Sequence, residues 1–509
     1  MRRIPVALGL ILAILGGLLW AAAAAEAQKP AKAKVEPASA AKEKPGKQED
    51  IYELQRLLVD TLDQVERNYV RPVDRRKLVE AAIKGMLAEL DPYSSYIGPE
   101  EMDRFRTVVE SEFGGIGIRV AVDQRGQLRV ISPVAGTPAY RAGIIAGDRI
   151  VEIDGKSTER LGIDEAVRRL KGEAGTQVTL GVIHPGKDAK EVIKITRESI
   201  HVETVLGDHR NPDDTWNFML DPERRIAYVC ITAFSRDTAS ELRKALTVLR
   251  KEKIRGLILD LRFNPGGLLE SAVAVARLFV SQGRIVSTSG RNSPERVWEG
   301  RKEGAFEGFP VAVLVNRYSA SASEIVAACL QDHKRAVIVG ERTWGKGSVQ
   351  NVIELEYSAK AADAGAGPDR SVARSALKLT TAGYRRPNGK NIDKPADAKE
   401  TDEWGVRPDK DYELTLERQE MEALMADRWE REIVTPKSPP SKPAETKPAP
   451  APSKPEAKKA EPGLPSPAPK SGGKSPQAPS PPGAKPSHFA DRQLQLAIGY
   501  LTGELARAN

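Results

Sequence analysis

Hydrophobic positions change their period from one part of this chain to the next. Between residues 51 and 102 they recur at helical spacing: Leu54, Leu57, Leu58 and Val65, then Leu78, Ala82, Ile83, Met86, Leu87 and Leu90. Asp91-Pro92 stops the second of these helices. Residues 103–199 read as many short strands with one helical stretch at 163–171. From 200 to 435, apolar runs alternate with helical ones. Strands at 226–234 and 256–262 flank a helix at 239–251, and Val311–Val315 and a run at 336–339 flank a helix at 324–333. Repeated β-α-β order predicts a partly parallel sheet covered by helices, so the chain reads as an α/β (α+β) multidomain protein. Residues 348–355 alternate like a strand, and 357–370, rich in Ala, Gly and Asp, form a loop insertion. The segment 487–509 is a helix with Ala490, Leu494, Ala497, Ile498 and Leu501 on one face. That face needs a partner, either the N-terminal helices or a second subunit.

Length and composition refine this outline. A chain of 509 residues should hold more than one domain. Arg2-Arg3, an apolar run over 6–25 and the small residues around Ala27 form a secretory signal, with cleavage expected after Ala27. Left uncleaved, that run of about 20 residues would span a bilayer, and membrane contact is expected there alone. The destination is the periplasm or cell envelope. Residues 28–49 read as a tether and 436–486 as a Pro/Lys-rich spacer. Residues 436–487 hold nine lysines against three glutamates, and so six of the eight net positive charges. The remainder is nearly balanced and shows no basic stripe interleaved with aromatics, which argues against nucleic acid. A solvated spacer is the simpler reading of that segment, and contact with anionic envelope polymers the other. Cys230 and Cys329 lie in apolar strand and helix patterns and default to free buried thiols.

The candidate chemistry sits at the junctions of the second β-α-β unit. Ser319-Ala320-Ser321-Ala322-Ser323 opens the helix, and Gly345-Lys346-Gly347 lies beyond the next strand. A serine becomes a strong nucleophile when a neighbouring base takes its proton, and a lysine serves as that base once burial lowers its pKa. The helix N-terminus favours developing negative charge. Three other readings compete. Ser321-Ala-Ser-Glu324 is also a capping box with no chemistry implied. Residues 340–346 match a P-loop up to its last position, where Gly347 replaces Ser or Thr and a strand rather than a helix follows. His333 ends the nucleophile helix about 18 Å from Ser321, too far for a serine–histidine pair, and suits a C-terminal dipole partner.

The run SASASEIVAACLQDHKRAVIVGERTWGKGSVQ resembles the signature of the carboxyl-terminal processing (tail-specific) proteases, serine peptidases of family S41. The resemblance covers most of residues 50–435. It implies Ser321 as nucleophile, Lys346 as general base and Gln350 as the residue that orients the lysine. It also implies an oxyanion hole from Gly266 or Gly267 with the Ala322 amide. Taken alone, Phe263-Asn264-Pro265-Gly266-Gly267 is a strand-to-helix turn exposing backbone N–H groups. Relatives carry Asn where this chain has Phe263. The implied fold is a crotonase/ClpP-like β-β-α catalytic core with an inserted PDZ domain and helical N- and C-terminal segments. The expected division is 50–102 helical, 103–199 PDZ, 200–435 protease and 487–509 C-terminal helix.

Glycines before a strand, as at 113–118, suit capture of a peptide carboxylate. The PDZ resemblance implies peptide contacts at Gly115, Ile116 and Gly117, with Val167 or Leu170 lining the pocket. Lys171 stands where relatives place a basic residue that couples the PDZ to the active site. Expected partners are proteins and peptides with apolar C-termini. A homo-oligomer through the terminal helices and an adaptor protein are further candidates. No cofactor or metal is called for. A PDZ scaffold with an inactive core is the rival reading.

Overall fold

The computed structural model describes residues 50–99, 101–102, 112–123, 125–355, 375–434 and 490–507. The expected signal, tether, spacer and loop insertion lie outside the described residues.

Helix α1 (Ile51–Asn68) opens on Asp50, whose carboxylate accepts from the Tyr52 amide, and α2 (Arg75–Ala88) opens in the same way on Asp74. No residue of α1 is buried, and Leu54, Leu57 and Leu58 stay exposed. Beyond Asp91-Pro92 the chain forms β1 (Ser95–Ile97), which pairs antiparallel with a long strand late in the sequence.

The β-rich domain comprises β2 (Glu112–Gly115), β3 (Ile118–Val122), β4 (Leu128–Pro133), β5 (Arg149–Ile153), α3 (Ile163–Leu170), β6 (Gln177–Ile183), β7 (Glu191–Thr196) and β8 (Glu198–His201). Its main sheet runs β3-β4-β5-β6-β7, and β2 pairs separately with β8. Inward residues such as Val130, Ile150, Ile153 and Leu180 form a core distinct from that of the rest of the chain.

The larger core is built on four parallel strands in the order β9 (Ile226–Ile231), β10 (Gly256–Asp260), β13 (Val311–Val315) and β14 (Ala336–Gly340). Between β10 and β13 lies a hairpin, β11 (Arg284–Gly290) with β12 (Ser293–Glu299). Every residue of β9, β10 and β13 is buried, as expected for parallel strands covered on both faces. One face carries α4 (Thr238–Lys251), α5 (Leu269–Ala276) and α6 (Ala322–Asp332). A second sheet holds β15 (Ser348–Leu355) and β16 (Ser375–Arg385), with β16 pairing β1 and β11. The last elements are α7 (Arg418–Glu432) and α8 (Arg492–Arg507).

Helix α8 finds its apolar partner within the chain, on the parallel sheet rather than on the N-terminal helices. Ala497, Leu501 and Leu505 pack with Ile258, Ala312, Leu314 and Val339 on the far face of the parallel sheet. The physical reason is that β10 and β13 point alternate apolar side chains to both faces, and α4–α6 cover only one. Helix α7 bridges the two domains, with Glu432 paired to Arg119 on β3 and Arg428 paired to Asp260 at the end of β10.

Candidate active site

Ser321 is the N-cap of α6 and sits at φ +57° and ψ −113°, outside the regions favoured by a side-chain-bearing residue. Ser321 and Glu324 form the expected capping box, its Ser321 side-chain half being the looser one. The Ser321 amide donates to Glu324 Oε2 at 2.8 Å, while the Ser321 hydroxyl makes no firm cap hydrogen bond. The cap reading and the nucleophile reading are compatible, because the firm hydrogen bond of the cap is made by the Ser321 backbone and not by its hydroxyl.

Glu324 does more than cap. It is fully buried and also accepts from Thr343 Oγ1 at 2.5 Å, the Gly345 amide at 2.7 Å and the Lys346 amide at 2.9 Å. One carboxylate thus holds the backbone of the serine and of the lysine loop together. Burial pushes its pKa up, and the four hydrogen bonds oppose that rise. On the other side, the buried Tyr384 hydroxyl reaches the carbonyls of both Ser321 and Lys346. The sequence reading missed both roles. The S-x-x-E spacing could have flagged Glu324, whereas nothing local singles out Tyr384.

Lys346 is largely removed from water, and burial lowers its pKa from the usual lysine value to about 8, with Lys378 adding repulsion. Its amine lies 4.8 Å from the centre of the Tyr93 ring. Among the described residues, that amine forms no ion pair and no hydrogen bond to Ser321. Gln350 does not reach it either. The Gln350 amide nitrogen donates to Ser348 Oγ at 2.9 Å and Thr380 Oγ1 at 3.1 Å, so the expected direct orientation of the lysine is not made in this conformer. The strand alternation of β15 explains this, since Gln350 pairs in register with Thr380.

The expected oxyanion donors separate. Gly266 packs so close that an added Cβ would lie 2.8 Å from Ser321 Cβ, and at φ +102° only glycine is unstrained. Its amide, however, donates to Asn264 Oδ1 at 2.9 Å and is not available to a substrate. Gly267 is exposed beside it, and Ala322 is the first residue of α6. Phe263 adopts φ +64°, a conformation Asn tolerates far better. Its ring stacks on Tyr318 at 5.7 Å, and its amide donates to Asn316.

The remaining expectations fall as follows. The loop at 340–346 runs into strand β15, which removes the P-loop reading. His333 is the C-cap of α6 and its Nε2 faces the Arg284 carbonyl at 2.7 Å. Cys230 and Cys329 are free and buried, and burial pushes both thiols up to about 12. In the smaller domain, the Ile116 and Gly117 carbonyls accept from Ala139 and Val134, and Gly115 pairs across to Glu198. Leu170 is buried in the domain core, with Val167 half-buried against it. Lys171 lies 4.6 Å from the centre of the Phe113 ring, beside the glycine loop. Among the described residues no helix is long and apolar enough to cross a membrane.

A strained serine at a helix start and a desolvated lysine in the adjoining loop have the chemistry of a hydrolase site, and a separate β-rich domain accompanies them. Comparison with known proteins gives the family. Residues 225–411 match the model of peptidase family S41, 129–183 that of a PDZ domain, and 12–101 that of the activating protease CtpB N-terminal domain. A carboxy-terminal-processing protease of Bartonella bacilliformis is 40% identical over 338 residues, covering 65% of this chain and 71% of that protein. A carboxyl-terminal-processing protease of Synechocystis is 33% identical over 353 residues, covering 69% and 75%. Among solved structures, a photosystem II D1 C-terminal processing protease aligns over 71% of this chain and 93% of its own, with 29% identity and a TM-score of 0.38. The chain belongs to the carboxyl-terminal processing proteases of family S41, which are serine peptidases.

Proposed function

We propose that this chain is an exported endopeptidase that binds apolar C-terminal tails through residues 103–199 and cleaves with Ser321 and Lys346 in residues 200–435. The observation that carries this reading is the Glu324 clamp, a buried carboxylate that ties a strained serine to a lysine whose amine is kept dry. The neutral amine takes the Ser321 proton as Oγ attacks the scissile carbonyl. The Gly267 and Ala322 amides then face the oxyanion. Collapse of the tetrahedral intermediate breaks the C–N bond, and the Lys346 ammonium gives its proton to the leaving amine. Water, deprotonated by the same amine, hydrolyses the acyl-enzyme. Export rests on the Arg2-Arg3 and apolar 6–25 pattern.

The test is digestion of peptides that differ only in their C-terminal residues, by wild type, Ser321→Ala and Lys346→Ala. Both variants should lose at least about 10³-fold in kcat/KM while remaining folded. Cleavage retained by Lys346→Ala would sink the dyad. Equal rates on apolar and charged tails would sink the PDZ role.

A further inference from the structure

The turn between α2 and β1 carries Asp91, Tyr93 and Ser94 beside the lysine loop. We propose that Tyr93, within that turn, is a positioning residue for Lys346, its ring being the dry floor on which the amine rests before it moves to Ser321. This deepens the Ser321–Lys346 reading and rests on it.

Three observations converge on the ring. The Lys346 amine lies 4.8 Å from its centre. The Tyr93 hydroxyl accepts from the indole N–H of Trp344, two residues before Lys346 on the same loop, at 3.4 Å. The turn that carries Tyr93 is fixed with unusual density. Asp91 Oδ1 accepts the amides of Tyr93 and Ser94, both at 2.8 Å, and Asp91 Oδ2 accepts the Ser94 hydroxyl at 2.7 Å. Thr380 on β16 closes the network, its amide donating to Ser94 Oγ at 3.1 Å and its hydroxyl to Asp91 Oδ1 at 3.2 Å. Gln350 donates to the same Thr380 hydroxyl. Gln350 therefore acts on the lysine at one remove, by bracing the strand that braces the turn that holds the ring.

An aromatic face suits this task because it offers no lone pair. A carboxylate under the amine would hold its proton and raise its pKa, whereas a ring attracts the ammonium weakly and excludes water. The charged groups that face the amine are Lys378 on β16, Glu324 on α6 and Asp91 in the turn, while Asp393 also faces the ring. Glu324 and Asp91 are occupied by their other donors, as described above, so neither is free to bind the amine directly.

The test is the pH profile of kcat/KM for Tyr93→Phe, Tyr93→Leu and Tyr93→Ala in the full chain, with Lys346→Ala alongside. Tyr93→Phe keeps the ring and should leave the acid limb in place. Tyr93→Leu keeps the site dry without a ring face and should move the limb down by about half a pH unit. Tyr93→Ala admits water and should move it up by about one unit, lowering kcat/KM roughly tenfold near pH 7 and recovering above pH 9. A loss equal at every pH, with the limb unmoved, marks a merely structural residue and overturns the proposal. If Tyr93→Ala does not fold, an unmoved limb in Tyr93→Leu overturns it equally. An active Lys346→Ala would instead overturn the dyad, so the two failures are distinct.

Discussion

Two polar clusters flank the carboxyl end of β10, and they are satisfied to opposite degrees. In the first, the fully buried Asp260 accepts from the amide and guanidinium of Arg262, from Arg428 and from the Tyr228 hydroxyl. Arg262 also donates to both carboxylate oxygens of Asp491 and to Gln493, at the start of α8. Almost every donor and acceptor is matched, Arg428 Nε being the exception among the described residues. In the second, around Ser321 and Lys346, the backbone is clamped as tightly, yet the Ser321 hydroxyl makes no firm cap hydrogen bond and, among the described residues, the Lys346 amine forms no ion pair. Saturation turns buried charge into a joint. A rigid frame with two unspent side chains turns burial into reactivity. The first cluster also clips together segments far apart in sequence, since α7 and the start of α8 meet there at the root of the loop that bears Gly266 and Gly267.

The largest effect expected from breaking this contrast is in the saturated cluster. Arg262→Met leaves Asp491 without its arginine and Asp260 with Arg428 alone, and should cost about 3–5 kcal/mol, read from denaturant unfolding. Adding Asp260→Leu, Asp491→Leu and Arg428→Met, which removes every charge of the cluster together, should recover much of that loss. A single variant as stable as wild type would show that the cluster is not a joint. A smaller effect is expected from Glu324→Gln. It offers one acceptor oxygen where two now serve four donors, so the serine and the lysine loop shift apart. The expected kcat loss is about 10²-fold, with a stability cost of about 1–3 kcal/mol. An unchanged kcat would mean the clamp does not set the geometry.

The mildest test varies pH alone. Lys346 must be neutral to act, and burial has brought its pKa down to about 8. Log kcat/KM should therefore climb with a slope near one as pH rises toward 8 and level off above it. The saturated cluster should be silent over that range. Its arginines hold the Asp260 carboxyl well below the usual carboxylate range. Stability from a depressed carboxylate is present above its unfolded value, near 4, and is lost only as pH falls from there. Stability that tracked activity between pH 6 and 9 would contradict the separation of the two clusters.

The sequence by itself determined the β-α-β order, the placement of Ser321 at a helix start and Lys346 in a glycine-flanked loop, and the presence of a separate β-rich domain. These follow from local periodicity and turn chemistry, which neighbouring residues suffice to encode. What covers the far face of the sheet, where Gln350 points, which glycine amide is already taken by Asn264, and the ring beneath the lysine were decided by tertiary structure. Each of these depends on side chains brought together from segments distant in the chain or across strand register, or on loop geometry, and hydrophobic patterning carries no record of such meetings. Glu324 stands between the two cases, because its spacing from Ser321 announced a cap while only the folded loop of Thr343, Gly345 and Lys346 made it a clamp.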